Sequence, residues 1–235
     1  MRLRIIRRLG GDATPPLSLI REEAPKVYQP RAFRQTEAAA LDDLIRDFPF
    51  ATLVIEQEGL AANHLPLLLR RRGDGRATLV GHLARANPMC DEGFEPVSAL
   101  AIFHGPQGYV SPNWYPSKAR DGRVAPTWNY AVVHVRGTLT LEHDPRWLRA
   151  LLSQLTDHME SGSEMPWRLR DAPEDYLDRM IAATVGVRLE VREIEGKWKL
   201  SQNQPEENQN GVISGLKRDR QLELSAWVEK ATARC

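Results

Sequence analysis

The sequence contains few cysteines and no long apolar stretch. Its two cysteines, Cys90 and Cys235, are far apart and form no CxxC pair or Cys/His pattern suited to zinc. This usage is typical of a reducing compartment. No apolar run approaches the roughly 18 residues that span a bilayer, and the first residues lack the apolar segment of a secretory signal. We therefore expect a cytoplasmic protein.

Neither sign of charge is in excess. The 32 Lys and Arg residues are balanced by 31 Asp and Glu residues, so the formal net charge is only +1. Bulk attraction to nucleic acid or to an anionic membrane does not follow from this balance, and any anion site must be local. The sequence also has no nucleophile elbow, paired-carboxylate site or Walker-type glycine loop.

The two ends of the chain differ from its centre. Residues 1–27 combine arginines with Gly-Gly and Pro-Pro pairs and few periodic apolar positions, which predicts a disordered leader. An Arg-rich transit peptide is a weaker interpretation, because acidic residues are present. We expect the folded domain to span residues 28–216, followed by a polar tail with some helical character at 217–235.

The central residues are typical of antiparallel strands. Alternating or β-branched apolar segments occur at 50–57, 60–70, 76–84, 97–111, 127–143 and 187–200. Asp74-Gly75 predicts a hairpin turn, and Gly105-Pro106 predicts a bulge or bend in the strand that contains it. The proline at position 66 predicts an interruption of its strand.

Helical spacing occurs at three places. After a predicted N-cap at Thr36, apolar residues follow at the spacing of a surface helix: Leu41, Leu44, Ile45 and Phe48. Asp144-Pro145 predicts the start of a second helix, and a third is expected from Asp171 to a close at Gly186. Strands in succession with a few helices predict a mainly β fold, an antiparallel barrel with flanking helices.

Four segments concentrate polar and aromatic residues at strand ends. They are "ANHLPLLL" (62–69), "GHLARANP" (81–88), "YVSPNWYPSK" with "PTWNYAVVHVRG" (109–137), and "EGKWKLSQN" (195–203). In this order and spacing they resemble the PaiB family, bacterial proteins with the FMN-binding split β-barrel fold that are often labelled negative transcriptional regulators. The resemblance covers about residues 28–216. It implies a homodimer of two barrels that holds FMN at each end of the interface.

Proteins of that family start close to the tyrosine that corresponds to Tyr28. The leader is therefore a departure, and we hypothesise that Val27 marks the true start, encoded by an alternative initiation codon. An intact mass of the native protein that includes residues 1–26 would contradict this hypothesis.

The resemblance places the FMN phosphate at "GHLARANP". Arg85 is the expected main bidentate donor, His82 and Asn87 are supplementary donors, and a helix N-terminus would add partial positive charge. In the alternative, Arg85 and Asn87 cap a helix and His82 packs within a strand.

The neighbouring "HLP" segment is the expected contact for the flavin ring. Pro66 donates no ladder hydrogen bond, so backbone groups near His64 and Leu65 are free to face a ring edge. Alternatively, Pro66 marks a strand edge and His64 is a satisfied core histidine. The histidines on strands show no close HxH spacing, so no metal site is expected.

Two later segments complete the candidate site. Tyr115, Ser117 and Lys118 lie in a proline-stiffened loop that lines the site or packs on the partner subunit. Trp128 offers a stacking face and Asn129 an amide donor and acceptor, and aromatic packing at a dimer interface is the alternative.

The segment "GKWKLSQN" places two cations side by side. Strand alternation puts Lys197 and Lys199 on one face and Trp198 on the other. Adjacent cations repel unless an anion lies between them, which favours a phosphate or carboxylate nearby, with Gln202 as an added amide donor. In the alternative, both lysines extend into water.

These residues favour an FMN-binding split-barrel protein of the PaiB type and a candidate flavin-dependent oxidoreductase, with the flavin supplying the chemistry. One alternative is a transcriptional regulator, acting on DNA directly or indirectly, although no convincing helix-turn-helix pattern is present. Another is a dimer that binds haem or another small molecule. Because split-barrel relatives have several functions, the fold alone does not decide between them.

Overall fold

A computed structural model describes residues 27–57, 59–91 and 93–233. The disordered leader predicted for residues 1–27 lies outside the described residues except for Val27. None of the described helices combines the length and the apolar character of a membrane span.

The described chain is dominated by eight antiparallel strands. Their bounds are β1 Arg34–Gln35, β2 Phe50–Glu56, β3 Leu60–Pro66, β4 Leu68–Arg71, β5 Ala77–Ala84, β6 Val97–Val110, β7 Thr127–Glu142 and β8 Thr184–Lys199. They form one sheet in the order β3-β2-β6-β7-β8-β5-β4, and β1 pairs with β8. The predicted mainly β class is confirmed.

Within the described residues, six α-helices flank the sheet. They are α1 Ala38–Asp47, α2 Lys118–Asp121, α3 Pro145–Met159, α4 Glu174–Ala182, α5 Glu206–Arg218 and α6 Leu222–Thr232. Single 3-10 turns occupy Arg31–Phe33, Pro88–Cys90, Pro112–Trp114 and Leu169–Asp171.

The sheet curls into a split barrel that does not close. Its two outermost strands, β3 and β4, follow each other in the chain with only Leu67 between them. A Cβ atom on Gly81 of β5 would lie 2.6 Å from the Pro66 carbonyl oxygen and 2.7 Å from Leu67 Cδ2. Glycine at position 81 therefore lets the crossing chain pass directly against β5. The predicted strand interruption at Pro66 is confirmed.

The core fills the concave side of the sheet. Apolar residues of neighbouring strands lie in register there, and α1 adds the apolar stripe that its sequence predicts. The buried set includes Leu41, Leu44, Ile45, Leu53, Ala101, Phe103, Val133 and Val135. Burial of this size is the main stabilising contribution to the fold.

Two local predictions about strands and caps are confirmed. Asp144 caps α3, since its Oδ1 accepts a hydrogen bond from the Arg146 backbone N–H at 2.9 Å. The register of β6 against β7 shifts between His104 and Gln107, where Gly105-Pro106 predicts a bulge.

Two helix boundaries differ from the prediction. The N-cap of α1 is Glu37 and not Thr36, and no side chain caps it. The helix α4 ends at Ala182, and Gly186 lies within β8 opposite His82 instead of closing the helix. A Cβ at Gly186 would overlap the Trp147 ring of α3, so this glycine serves sheet–helix packing and not a helix cap.

Candidate functional site

One row of residues crosses five strands of the sheet on its convex side, the outer face. The row runs through His64, Thr52, Ile102, His134 and Glu195 in the pairing registers. All five side chains are exposed or partly exposed. Because side chains alternate along a strand, Lys197 and Lys199 continue this face beyond Glu195.

A cleft of about 630 Å³ lies between β3 and the loop that follows β5. We call it the edge cleft; its lining includes Leu60, Ala62, Asn63, Asn87, Met89 and Phe94. The Asn87 Nδ2 group donates to Asn63 Oδ1 at 2.7 Å and joins the two walls. Among the described strands β3 pairs with β2 alone, so its other edge carries backbone N–H and C=O groups that no described strand pairs.

Arg85 is exposed at the corner that follows β5. Its Nε donates to the Ala182 carbonyl at 2.7 Å and its Nη2 to the Thr184 carbonyl at 3.0 Å, which ties this corner to the start of β8. Asn87 Oδ1 accepts from the Met89 backbone N–H at 2.9 Å and caps a turn. Arg85 and Asn87 thus hold backbone groups in place, as expected from the alternative interpretation in which both residues are caps. Their role in binding a phosphate stays a prediction.

The predicted helix after "GHLAR" is a single 3-10 turn, Pro88–Cys90. A turn of this length aligns too few peptide groups for a substantial macrodipole. The expected contribution of a helix N-terminus to phosphate binding is therefore wrong.

His82 lies on a different face of the sheet from Asn63. It pairs with Gly186, a residue that packs on Trp147 of α3, whereas Asn63 pairs with the buried Leu53. Burial lowers the pKa of His82, and its Nδ1 has no hydrogen-bond partner among the described residues. His82 is thus held neutral within a strand, and its direct role at the phosphate is not supported by this placement.

The "HLP" segment forms the end of β3. His64 is exposed, with Nδ1 3.2 Å from Thr52 Oγ1 and its ring 6.4 Å from that of Phe50, so it is not a core histidine. Leu65 points into the core and Pro66 ends the strand. The side chain of His64 is therefore available on the outer face.

The second group of predicted residues surrounds the start of β7 and the end of β8. Lys199 Nζ donates to Thr127 Oγ1 and, at 2.8 Å, to the Trp128 carbonyl. Burial and the neighbouring Lys197 lower the pKa of Lys199. Lys197 Nζ lies 5.5 Å from the ring centroids of Tyr28 and Tyr130. The two lysines share a face, as predicted, but the acceptors of Lys199 are a hydroxyl and a carbonyl.

Trp128, Asn129 and Gln202 have distinct surroundings. Trp128 is half-exposed and its Nε1 donates to Gln107 Oε1 at 3.2 Å. Asn129 is buried, and its Nδ2 donates to Ser201 Oγ at 2.9 Å. Gln202 binds its own strand end, because its Nε2 donates to the Trp198 carbonyl at 2.7 Å. Only Trp128 of these three offers a large exposed surface.

The loop residues Tyr115, Ser117 and Lys118 differ in their surroundings, and only Tyr115 lines a polar cavity, which has a volume of about 260 Å³. Tyr115 lines this cavity and burial raises its pKa. Ser117 is buried, and its backbone N–H donates to Asn208 Oδ1 of α5 at 3.3 Å. Lys118 Nζ donates to Asn113 Oδ1 at 2.5 Å. The loop is thus anchored on α5.

Three residues near the two groups were not predicted from the sequence as site residues. Asn63 lies inside a quoted motif but was not singled out, although its amide closes the edge cleft. Ser201 adopts a φ of 67° although it is not glycine, and it is buried against Asn129. His134 faces the outer row with a buried Nδ1 that lacks a partner among the described residues. Alternation along β7 is a signal that indicates this face for His134, but no sequence pattern reveals the missing partner.

The structure separates the predicted site residues into two groups at distant parts of the sheet. His64 and Glu195 are separated by four strand spacings, which corresponds to roughly 19 Å along the sheet. The edge-cleft group consists of Asn87, which lines the cleft, and of His64 to Pro66 and Arg85, which are its neighbours in the chain and do not line it. The β7–β8 group contains Trp128, Lys197 and Lys199. A single chain does not bring the two groups into one compact pocket.

Comparison with known proteins decides the family. The family model described as "Putative FMN-binding domain" matches residues 27–193. The chain belongs to this FMN-binding family. FMN is accordingly the cofactor of the domain, as the resemblance to PaiB implied.

The relatives extend over most of the chain. The Bacillus subtilis protein named Protease synthase and sporulation protein PAI 2 is 30% identical over 195 residues, which cover 82% of this chain and 90% of that protein. An uncharacterized protein of Aspergillus fumigatus is 28% identical over 238 residues, covering 82% of this chain and 91% of its own. The PaiB resemblance is confirmed.

A solved structure shows the same fold. The FAD and haem binding protein from Mycobacterium smegmatis superposes with a TM-score of 0.52 at 22% identity, over 71% of this chain and 73% of its own. The split-barrel prediction for the FMN-binding family is therefore confirmed.

The edge cleft has the size of a small-molecule pocket and offers polar groups. Its volume of about 630 Å³ lies within the range of small-molecule pockets, about 300 to 1,000 Å³. The free edge of β3 offers backbone donors and acceptors for a ring edge, and the Asn63–Asn87 pair offers amide groups for hydroxyls. Arg85 lies two residues before Asn87 and does not line the cleft. It donates two of the five guanidinium N–H groups to the carbonyls of Ala182 and Thr184, and those two bonds leave the other three unused.

Proposed function

We propose that this protein is an FMN-dependent oxidoreductase whose flavin site is shared by two copies of the chain. FMN supplies electron and hydride transfer when bound, and the chain supplies binding, orientation and access. The observation that carries this proposal is the separation of the site residues into two groups that lie four strand spacings apart in the sheet.

In this arrangement the edge cleft of one copy holds the flavin. Arg85 binds the phosphate with the N–H groups that the carbonyls of Ala182 and Thr184 leave free. The backbone of β3 near His64 and Leu65 pairs with the ring edge, and the amides of Asn63 and Asn87 are close to the chain between ring and phosphate. Each contact uses a donor or acceptor that the described fold provides.

The outer face provides the surface for the second copy. It exposes large apolar and aromatic side chains around both groups, with Phe50 at 64%, Leu60 at 81% and Trp128 at 49% relative exposure. Such residues are typical of interface cores. A two-fold axis brings each group opposite the other group of its partner, since an isologous interface is self-complementary. Trp128 and Lys199 of one copy then close the edge cleft of the other.

The test combines spectroscopy with mass measurement. We expect the purified protein to show a flavin spectrum or to take up added FMN in a fluorescence-quenching titration, with one FMN per chain. Light scattering is expected to give the mass of a dimer. A protein that is unable to take up FMN contradicts the proposal, and a haem spectrum in its place favours the haem-binding alternative.

Direct control of DNA is not supported by the described helices. In α3, Arg149 pairs with Glu174 of α4, and Arg168 beyond α3 pairs with Asp157. These pairs offset part of the positive charge that binding to a phosphate backbone would use. A regulatory effect of this protein would therefore act through its small-molecule chemistry.

A further inference from the structure

A cavity of about 350 Å³ opens on the outer face beside the β7–β8 group. Its lining includes His104, Gln107, Trp128, Tyr130, His134 and Lys197. His104 and Lys197 both pair with Val132, and His134 follows two residues later, so these three polar side chains point to one side of the sheet. The volume is close to the lower limit of small-molecule pockets and suits a ligand smaller than FMN.

Lys197 carries the charge of this cavity. Its ammonium lies between the rings of Tyr28 and Tyr130, and no carboxylate pairs with it among the described residues. Glu195, the acid two residues earlier on the same face, is held by Arg136 at 2.6 Å in a largely buried ion pair. Lys197 therefore presents a partly buried positive charge without an anion.

His134 adds an unused polar atom. Its Nδ1 is buried and has no partner among the described residues, which is costly unless a ligand or water satisfies it. Burial, first, and then the charge of Arg136 lower the pKa of His134, so the ring is neutral at pH 7 and Nδ1 can donate or accept.

The same cavity offers aromatic surface. Trp128 is half-exposed and is fixed by the hydrogen bond from its Nε1 to Gln107, and Tyr130 lies beside Lys197. Fixed rings of this kind favour a flat ligand. Lys197 supplies one positive charge to this cavity, which balances the single charge of a carboxylate, whereas a dianionic phosphate would leave one charge unbalanced.

We propose that this cavity binds the substrate of the flavin, an aromatic carboxylate whose carboxylate pairs with Lys197 and whose ring lies against Trp128 and Tyr130. His134 Nδ1 then bonds a polar substituent of that ring. This inference rests on the proposed flavin function, because it places the substrate in the group that closes the partner's edge cleft.

Binding of benzoate, measured by calorimetry, tests the proposal, with benzamide as a neutral ligand of the same shape. We expect wild type to bind benzoate at least about tenfold more tightly than benzamide, because only benzoate pairs with the ammonium. Lys197→Met should lose this preference and Lys197→Arg should keep part of it. Lys230→Met, at an exposed position of α6, is the matched control and should bind as wild type does.

The role of His134 has its own readout. We expect a hydroxybenzoate to bind wild type more tightly than benzoate at one ring position, and His134→Phe to remove that advantage while benzoate affinity is retained. Thermal melting of each variant shows that the fold is intact.

Three results overturn the substrate cavity: no benzoate binding to wild type, equal affinity for benzoate and benzamide, or equal benzoate affinity in wild type and Lys197→Met. Displacement of FMN by benzoate also overturns it, since Lys197 would then belong to the flavin site. FMN titrations of the same proteins keep the two proposals apart. Lys197-dependent benzoate binding by a protein that takes up no FMN supports the cavity and contradicts the flavin function.

Discussion

Arg85 combines a structural and a proposed ligand role in one side chain. Two of its N–H groups bind carbonyls at Ala182 and Thr184, and the remainder are the proposed phosphate donors. Arg85→Ala is expected to weaken FMN binding by about 1.5 to 3 kcal/mol, the worth of a charge-assisted hydrogen bond. A fluorescence titration measures this change, and a thermal melt measures the separate loss of the two carbonyl contacts.

The control for this prediction is Arg72→Ala, an exposed arginine in the turn between β4 and β5. It removes the same charge far from the proposed phosphate position, so FMN affinity should be preserved. An Arg85→Ala variant with wild-type FMN affinity and a lowered melting temperature would assign Arg85 to structure alone.

His82 makes stability depend on pH. Its pKa is lowered from the ordinary 6.5 by burial, so the unfolded chain binds a proton more readily than the folded one. The contribution is fully present above about pH 6.5 and is lost as the pH falls towards the lowered folded pKa. Chemical denaturation at several pH values should show the free energy of unfolding decreasing below pH 6.5.

The variant His82→Phe should flatten this part of the profile, because the titrating group is removed. His143→Gln replaces an exposed histidine and should leave the slope unchanged. An identical slope in His82→Phe and wild type would assign the pH dependence to other groups.

Strand alternation predicted correctly which face of a strand a side chain occupies. It separated Lys197 and Lys199 from Trp198, and the structure buries Trp198 against Trp227. It did not predict that Lys199 binds Thr127 and the Trp128 carbonyl, since that contact depends on the register of β8 against β7. Sequence periodicity holds no information about that register.

At the scale of elements, the docking of α5 depends on glycine. A Cβ on Gly215 would overlap the Trp114 ring, and one on Gly211 would overlap the Trp114 carbonyl. Gly215→Ala should therefore destabilise the protein by about 1 to 3 kcal/mol through overpacking, although alanine favours helices. Chemical denaturation checks the difference in the free energy of unfolding.

Gly162→Ala is the matched control, since a Cβ there has no atom within 4 Å. It should leave stability nearly unchanged. A stabilised Gly215→Ala variant would show that helix propensity outweighs the contact with Trp114.

Strands were easier to predict than the ends of helices. Alternation and Gly or Pro signals located β2, β5 and β7, because these features depend on neighbouring residues. The predicted end of α4 was wrong because a glycine after an apolar helical pattern is typical of a helix cap. In the structure, Gly186 lies in a strand and packs against Trp147. The seating of α5 on Trp114 joins residues about a hundred positions apart and has no local pattern.

At the scale of the whole molecule, the periodicity of the sequence did not predict the order of the strands in the sheet. The path β3-β2-β6-β7-β8-β5-β4 brings His64 and Glu195 into one row, and only the three-dimensional sheet shows that they are its ends. The resemblance to the PaiB family supplied the split barrel and the cofactor. It did not reveal that one chain holds the predicted site residues as two separate groups.

A heterodimer of two variants tests whether those groups meet across an interface. Arg85→Ala alters the edge-cleft group and Trp128→Ala alters the β7–β8 group, and each homodimer should bind FMN weakly. Co-expression with two different tags allows the mixed dimer to be purified. If the sites are shared, one site of that dimer carries both changes and the other carries neither, because each site takes one group from each chain.

We therefore expect the mixed dimer to bind one FMN with wild-type affinity, measured by titration against protein of known concentration. A mixed dimer of Arg85→Ala with Asn87→Ala serves as the control, since both changes lie in the same group. Every site of that control retains one altered edge cleft, so no tight site should return. Loss of tight binding in both mixed dimers would confine each flavin to a single chain, with both groups acting within that chain, and would contradict the shared site.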